Sequence, residues 1–143
     1  MIADECVVLG FDYGERRIGV AVGQTLTGSA NPLAVVKVRN SRPDWQQIEE
    51  LVRRYEPDAL VLGLPQHADG SEHALSPRIH RFERQLRHRF GLPVHLIDER
   101  LSSYEAAQRC HDSGASQVDA VAAQVILETW LRNGGLAAMG RPE

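Results

Sequence analysis

The chain has 143 residues, a formal charge of −3 and 43% hydrophobic residues, which suits one globular domain over residues 1–143 with a core that needs no disulfide framework. That charge excludes a surface uniformly coated in basic residues, and the two cysteines, Cys6 and Cys110, lack the paired spacing of a zinc site. No apolar run approaches the ~18 residues of a membrane span, and Asp4 and Glu5 stand where a secretory leader carries basic charge, so a cytoplasmic protein with no membrane partner is expected.

The N-terminal third reads as strands. Cys6 to Phe11 is a continuous apolar run of the kind a strand buried on both faces requires. Ile18 to Val22 follows after a short turn and predicts a hairpin, and Leu33 to Val38 is a third strand reached through a loop with Gly, Ser and Asn. After Asn40 the period changes. Trp45, Ile48, Leu51, Val52 and Tyr55 recur at three or four residues, an amphipathic helix with Pro43 in its first turn.

Ala59 to Leu64 is a fourth strand, stopped by Pro65 and followed by a loop with an Asp69-Gly70 turn. A second helix follows, with Ser76 as its cap, Pro77 in its first position, Ile79, Phe82, Leu86 and Phe90 on its buried stripe and Gly91 at its end. Pro93 to Ile97 is a fifth strand, and two helices, at about 103–111 and 117–133, complete the order βββαβαβαα. This order predicts a mixed five-stranded α/β sheet flanked by helices, with the connectivity of the ribonuclease H-like fold and the spatial order third, second, first, fourth, fifth.

In open α/β sheets, ligands bind beyond the carboxyl ends of the central strands. Asp12 closes the first strand, and Asp98-Glu99 closes the fifth. On an extended chain these two neighbours point to opposite faces, so one of them faces a shared site. Asp119 shares a helical stripe with Ala122, Ala123, Ile126 and Trp130. It reads either as the last residue of a capping box, Ser116-Gln117-Val118-Asp119, or as a ligand. Three separated acids with no thiolate or imidazole cluster beside them suggest a hard-cation site for Mg²⁺ or Mn²⁺. Two such ions can flank a scissile phosphate.

The segments around these acids resemble the YqgF family, also called RuvX, of pre-16S rRNA nucleases once described as Holliday junction resolvase-like. Phe11 to Ala21 (FDYGERRIGVA) is similar to its FDYGxxRIGVA block, and Gly63-Leu64-Pro65 with Asp69-Gly70-Ser71 to its GLPxxxDGS. Arg81-Phe82 is similar to its VRxF segment, Asp98 to Ser103 to its DERLSS, and Asp119 to Ala123 to its DxxAA. The blocks run in order from Val7 to about Leu131; the chain departs from the pattern at Ser116-Gln117-Val118, where basic residues are usual.

The resemblance implies a ribonuclease H-like fold and cleavage of phosphodiesters with two Mg²⁺ or Mn²⁺ ions, with Asp12, Glu99 and Asp119 as catalytic metal ligands and Asp98 in reserve. Its expected partners are precursor 16S rRNA or branched DNA, bound by a monomer or a homodimer.

Of the 16 basic residues only Lys37 is lysine, a bias that suits bidentate grip on phosphates. Arg16, Arg17 and Arg100 adjoin the candidate acids, and Arg81 belongs to a helix segment, residues 78–90, with five arginines and one glutamate; these four are the candidate nucleic-acid contacts. The bland counterpart is a solvated amphipathic face. Three functional readings follow: a nuclease on precursor rRNA, the same chemistry on four-way DNA junctions, and a non-catalytic ribosome-assembly module. An actin-like ATPase reading of Asp12-Tyr13-Gly14 is a distant fourth, since the chain is too short for two nucleotide-clamping lobes and lacks a Walker-type loop.

Overall fold

A computed structural model describes residues 6–25, 27–64, 75–98 and 118–132 of the chain. Its elements are β1 (Val7–Tyr13), β2 (Arg17–Gln24), β3 (Ser29–Arg39), β4 (Arg42–Pro43), α1 (Trp45–Tyr55), β5 (Ala59–Leu64), α2 (Ser76–Phe90), β6 (Val94–Asp98) and α3 (Val118–Trp130). They form one sheet in the order β4-β3-β2-β1-β5-β6. β1 to β4 are joined antiparallel, while β5 and β6 run parallel to β1. The expected order of the five long strands holds.

The difference is a sixth, two-residue strand at the edge. Asn40 and Ser41, with φ of 53° and 63°, make a two-residue turn of the type that suits hairpins, and Arg42–Pro43 folds back on Val38 and Arg39. Pro43, which has no N–H to donate, fits an edge strand, so it precedes α1 and does not occupy its first turn. Asp44 caps α1 instead, its carboxylate accepting from the Gln47 N–H at 3.3 Å. Two residues are too few to show an alternating hydrophobic pattern.

The two faces of the sheet bury different residues. Leu9, Phe11 and Tyr13 of β1, Leu60 and Leu62 of β5 and Val94 of β6 point toward α1 and α2, where Ile48, Ile79, Phe82 and Leu86 meet them. On the other face Val8, Ala21, Ala30 and Val61 meet Ala123, Ile126, Leu127 and Trp130 of α3. This second face is built of small residues so that α3 lies directly on the strands. A Cβ at Gly10 would stand 3.0 Å from the Leu127 Cβ and 3.4 Å from the Ala123 carbonyl oxygen. The Gln124 amide adds a hydrogen bond to the Ala30 carbonyl at 2.8 Å.

α2 ends at Gly91 in the left-handed region, φ 64°, whose N–H closes on the Arg87 carbonyl at 2.9 Å. At its other end the cap position belongs to Leu75, and Ser76 lies one residue inside the helix, where its Oγ is buried with no hydrogen-bond partner among the described residues. The expected helix at about 103–111, the Asp69-Gly70 turn, His67, His73 and Cys110 lie outside the described residues. Cys6 is buried, and its N–H donates to Thr25 Oγ1 at 3.0 Å.

Candidate active site

Parallel pairing of β1, β5 and β6 brings their carboxyl ends to one edge of the sheet. Phe11 is in register with Leu62 and Leu62 with Leu96, so Asp12 stands level with Gly63 and Ile97, and Asp98 pairs with Leu64 one step further on. Alternation along the strands then sorts the acids. Val8 packs against α3 and Gly10 lies under Leu127, so Asp12, two residues on, belongs to the α3 side, where it is half-buried. Leu96 packs on the α1–α2 side and Ile97 on the α3 side. Ile97, level with Asp12, thus lies on the same face of the sheet as Asp12.

The direction of α3 supplies the third position. Leu127 meets both Gly23, which pairs with Val8, and Gly10, whereas Ala123 meets Gly10. Read toward its N-terminus, the helix thus advances along β1 in the direction of Asp12. Asp12 is two residues past Gly10, about 6.6 Å at the usual strand rise. Four residues, about 6 Å at about 1.5 Å per residue, separate position 123 from position 119. The backbone of α3 accordingly carries Asp119 to the level of Asp12. For Asp98 and Asp119 the description stops at the backbone, and Glu99 and Arg100 lie outside the described residues. Among the described residues no three His, Cys, Asp or Glu side chains cluster.

The arginines divide between the faces. Arg17 opens β2, two residues before Gly19, the cross-strand partner of Asp12, and so shares its side of the sheet. Arg16 is exposed in the preceding turn, where its carbonyl accepts from the Val38 N–H at 2.9 Å. Gly14 makes that turn possible, since a Cβ there would fall 2.6 Å from the Arg17 carbonyl oxygen. Arg81 lies across the sheet, in a groove of about 750 Å³ that it lines with Glu49, Arg84, Gln85, His88 and Arg89.

Burial raises the Tyr13 phenol above its usual range, and the positive charges of Arg78 and Arg81 partly oppose that rise while Glu15 adds to it. Two further arginines of α2 have structural work. Arg87 donates to Glu83 at 2.9 and 3.2 Å and to the Val94 carbonyl at 2.7 Å. Arg89 pairs with Glu49 at 3.3 Å and lies over the Trp45 ring at 4.2 Å.

Sequence reading passed over one set of charges, Lys37, Arg39 and Arg42 around the β3–β4 turn. Its signal was available in Arg39-Asn40-Ser41-Arg42, an Asn-led turn between two arginines.

A mixed sheet of this order with a helix on the Asp12 face defines a ribonuclease H-like α/β protein, and solved structures share it. The chain is similar to Thermus thermophilus RuvC in complex with a Holliday junction substrate, with TM-score 0.55 and 18% identity over 92% of this chain and 97% of that one. It is also similar to the fowlpox virus Holliday junction resolvase, with TM-score 0.55 and 12% identity over 88% and 98%.

The profile of the RuvX family, described as Holliday junction resolvase, matches residues 6–133, and the chain belongs to that family. Two relatives bear the name "Putative pre-16S rRNA nuclease". That of Azotobacter vinelandii is 51% identical over 87% of this chain and 92% of its own, and that of Pseudomonas putida 45% identical over 91% and 97%. No helix among the described residues is long and apolar enough to cross a membrane.

Proposed function

We propose that this chain is a cytoplasmic nuclease, one domain over residues 1–143, that hydrolyses phosphodiester bonds at the 5′ side of precursor 16S rRNA. The observation that carries the reading is the shared level of Asp12 and the backbone of position 119 at the carboxyl ends of three parallel strands. Names borne by relatives at 45–51% identity support the substrate.

Asp12, Glu99 and Asp119 are the proposed ligands of Mg²⁺ or Mn²⁺, two ions in all. An all-carboxylate set fits these hard cations and disfavours softer ones. The ions supply Lewis acidity to the attack on phosphorus and to the departure of the alkoxide. The chain's share is position and charge. β1, hydrogen-bonded on both sides by β2 and β5, holds Asp12 on a rigid element. Arg17, on the same side, offers positive charge to a phosphate reaching that edge, and Arg16, Arg81 and Arg100 are the further proposed backbone contacts.

A second reading, cleavage of four-way DNA junctions, is favoured by the fold shared with RuvC and asks for a symmetric dimer that cuts two strands. The deciding experiment offers a labelled precursor 16S fragment and a labelled four-way junction to the purified chain with Mn²⁺. Preferential cutting of the RNA, lost in folded Asp12→Asn, is the expected result. Preference for the junction moves the substrate to DNA. Full activity in Asp12→Asn overturns both readings.

A further inference from the structure

We infer that the β3–β4 hairpin is a second nucleic-acid-binding surface, in which Lys37, Arg39 and Arg42 hold the phosphate backbone of the substrate to one side of the candidate active site. The inference rests on the reading of the chain as a nuclease. Two cross-strand pairs carry it. Arg17 lies directly opposite Lys37, and Arg39 directly opposite Arg42. Like charges facing one another across a ladder destabilise a sheet, so the Arg39–Arg42 pair does not serve the fold, and the chain as a whole is negative, at −3.

Among the described residues none of Lys37, Arg39 and Arg42 has an ion-pair partner. Together with Asp44 they line a cavity of about 470 Å³. Asp44 is the one acid of that lining and is engaged at the N-terminus of α1.

Placement matches the role. Val36 and Val38 are buried toward α1 and α2, so alternation puts Lys37 and Arg39 on the opposite side of the sheet, with Arg17 and Asp12. β3 ends at the same edge as β1, since each is antiparallel to β2. At about 4.8 Å between neighbouring strands and about 3.3 Å per residue, Lys37 stands two strands across and two residues beyond the level of Asp12, about 12 Å away, and Arg42 three strands across and four residues beyond, about 20 Å away. That span equals about six phosphate steps along a strand at about 3.4 Å each. The phosphates it meets flank the cleaved bond and carry no sequence information, so this surface sets register and affinity and leaves base preference to other contacts.

The test compares Arg39→Gln/Arg42→Gln with a charge-matched control, Arg53→Gln/Arg54→Gln, in the last turn of α1. Binding of a fluorescein-labelled single-stranded RNA is followed by anisotropy in EDTA across a salt series. Each lost phosphate contact removes about 0.7 from the slope of log affinity against log salt, or about fivefold in affinity over the decade down to about 0.1 M. The hairpin variant should therefore bind about 25-fold more weakly, with a slope shallower by about 1.4, and the control should bind as wild type. Thermal melting supplies the readout that a structural role would not give. The hairpin variant should melt at or above the wild-type temperature, because a repulsive pair is gone.

Unchanged affinity and slope, or an equal loss in the control, overturns the inference. So does a weakened binder that also melts lower. Wild type that binds RNA through these residues and cuts no nucleic acid refutes the nuclease reading and leaves this surface standing.

Discussion

Gly10→Ala tests the contact that sets the height of α3 above the sheet. The added methyl would sit 3.0 Å from the Leu127 Cβ and 3.4 Å from the Ala123 carbonyl oxygen and the Leu127 Cδ2. Carbon atoms rest at about 3.5–4.0 Å, so α3 must withdraw by about 0.5–1 Å or the strand must bend. Overpacking of this kind costs about 1–3 kcal/mol. Loss of glycine's freedom in the unfolded chain returns about 0.4–1 kcal/mol. The net loss is about 0.5–2 kcal/mol, which for a chain of this size lowers Tm by about 2–8 °C.

The same withdrawal has a functional consequence, since Asp119 stands one turn before Ala123 on α3. A misplacement of about 1 Å can cost about a hundredfold in rate. Urea melts give the stability change, and cleavage of the precursor 16S fragment by protein that is still fully folded gives the second effect. Stability within about 0.5 kcal/mol of wild type, the range of ordinary surface substitutions, together with unaltered cleavage, would refute the account of α3 resting on β1.

Three further outcomes follow from the same packing. Asp44→Ala removes the α1 cap and should cost about 1 kcal/mol in a urea melt, with cleavage retained in the folded protein. Arg87→Ala breaks the Glu83 pair and the Val94 carbonyl contact; the exposed pair contributes little, the carbonyl bond more, and a loss of about 1–2 kcal/mol is expected in the same melt.

His95, stacked on Trp130 at 5.1 Å between ring centroids, has its pKa lowered from 6.5 by burial first and by the charge of Arg87 second. Below that pH the unfolded chain takes up the proton more readily, so stability falls as pH drops through 6.5 toward the folded-state value. His95→Phe should flatten that part of the Tm profile, and an equally steep profile in the variant would contradict the assignment.

Strand order was legible in the sequence because each long strand is an apolar run bounded by turn residues, and the change of period after Asn40 marks the first helix. What escaped was set by backbone geometry. β4 is two residues held by a left-handed turn, β2 and β3 extend through polar residues whose ladder bonds leave no hydrophobic trace, and Ser76 fell one position inside its helix. For the candidate site, the sequence supplied Asp12 and Asp119 but left Asp98 and Glu99 undecided. The register of β6 against β5 sets the backbone of Asp98 beside Leu64, and substitution of each acid decides between them. The turn Arg39-Asn40-Ser41-Arg42 was there to be read, but Arg17 and Lys37 are far apart in sequence, and pairing alone brings them together.

The central claim is that Asp12, Glu99 and Asp119 together bind divalent metal while Asp98 does not. Mn²⁺-dependent thermal stabilisation of wild type, Asp12→Asn, Glu99→Gln and Asp98→Asn tests it most directly, because a ligand that binds the folded state raises Tm by mass action. Metal at about a hundred times its dissociation constant stabilises by about 2.7 kcal/mol. A shift present in wild type and Asp98→Asn and absent from Asp12→Asn and Glu99→Gln is the predicted result. A wild type indifferent to Mn²⁺, or a shift that survives in Asp12→Asn, would contradict the account.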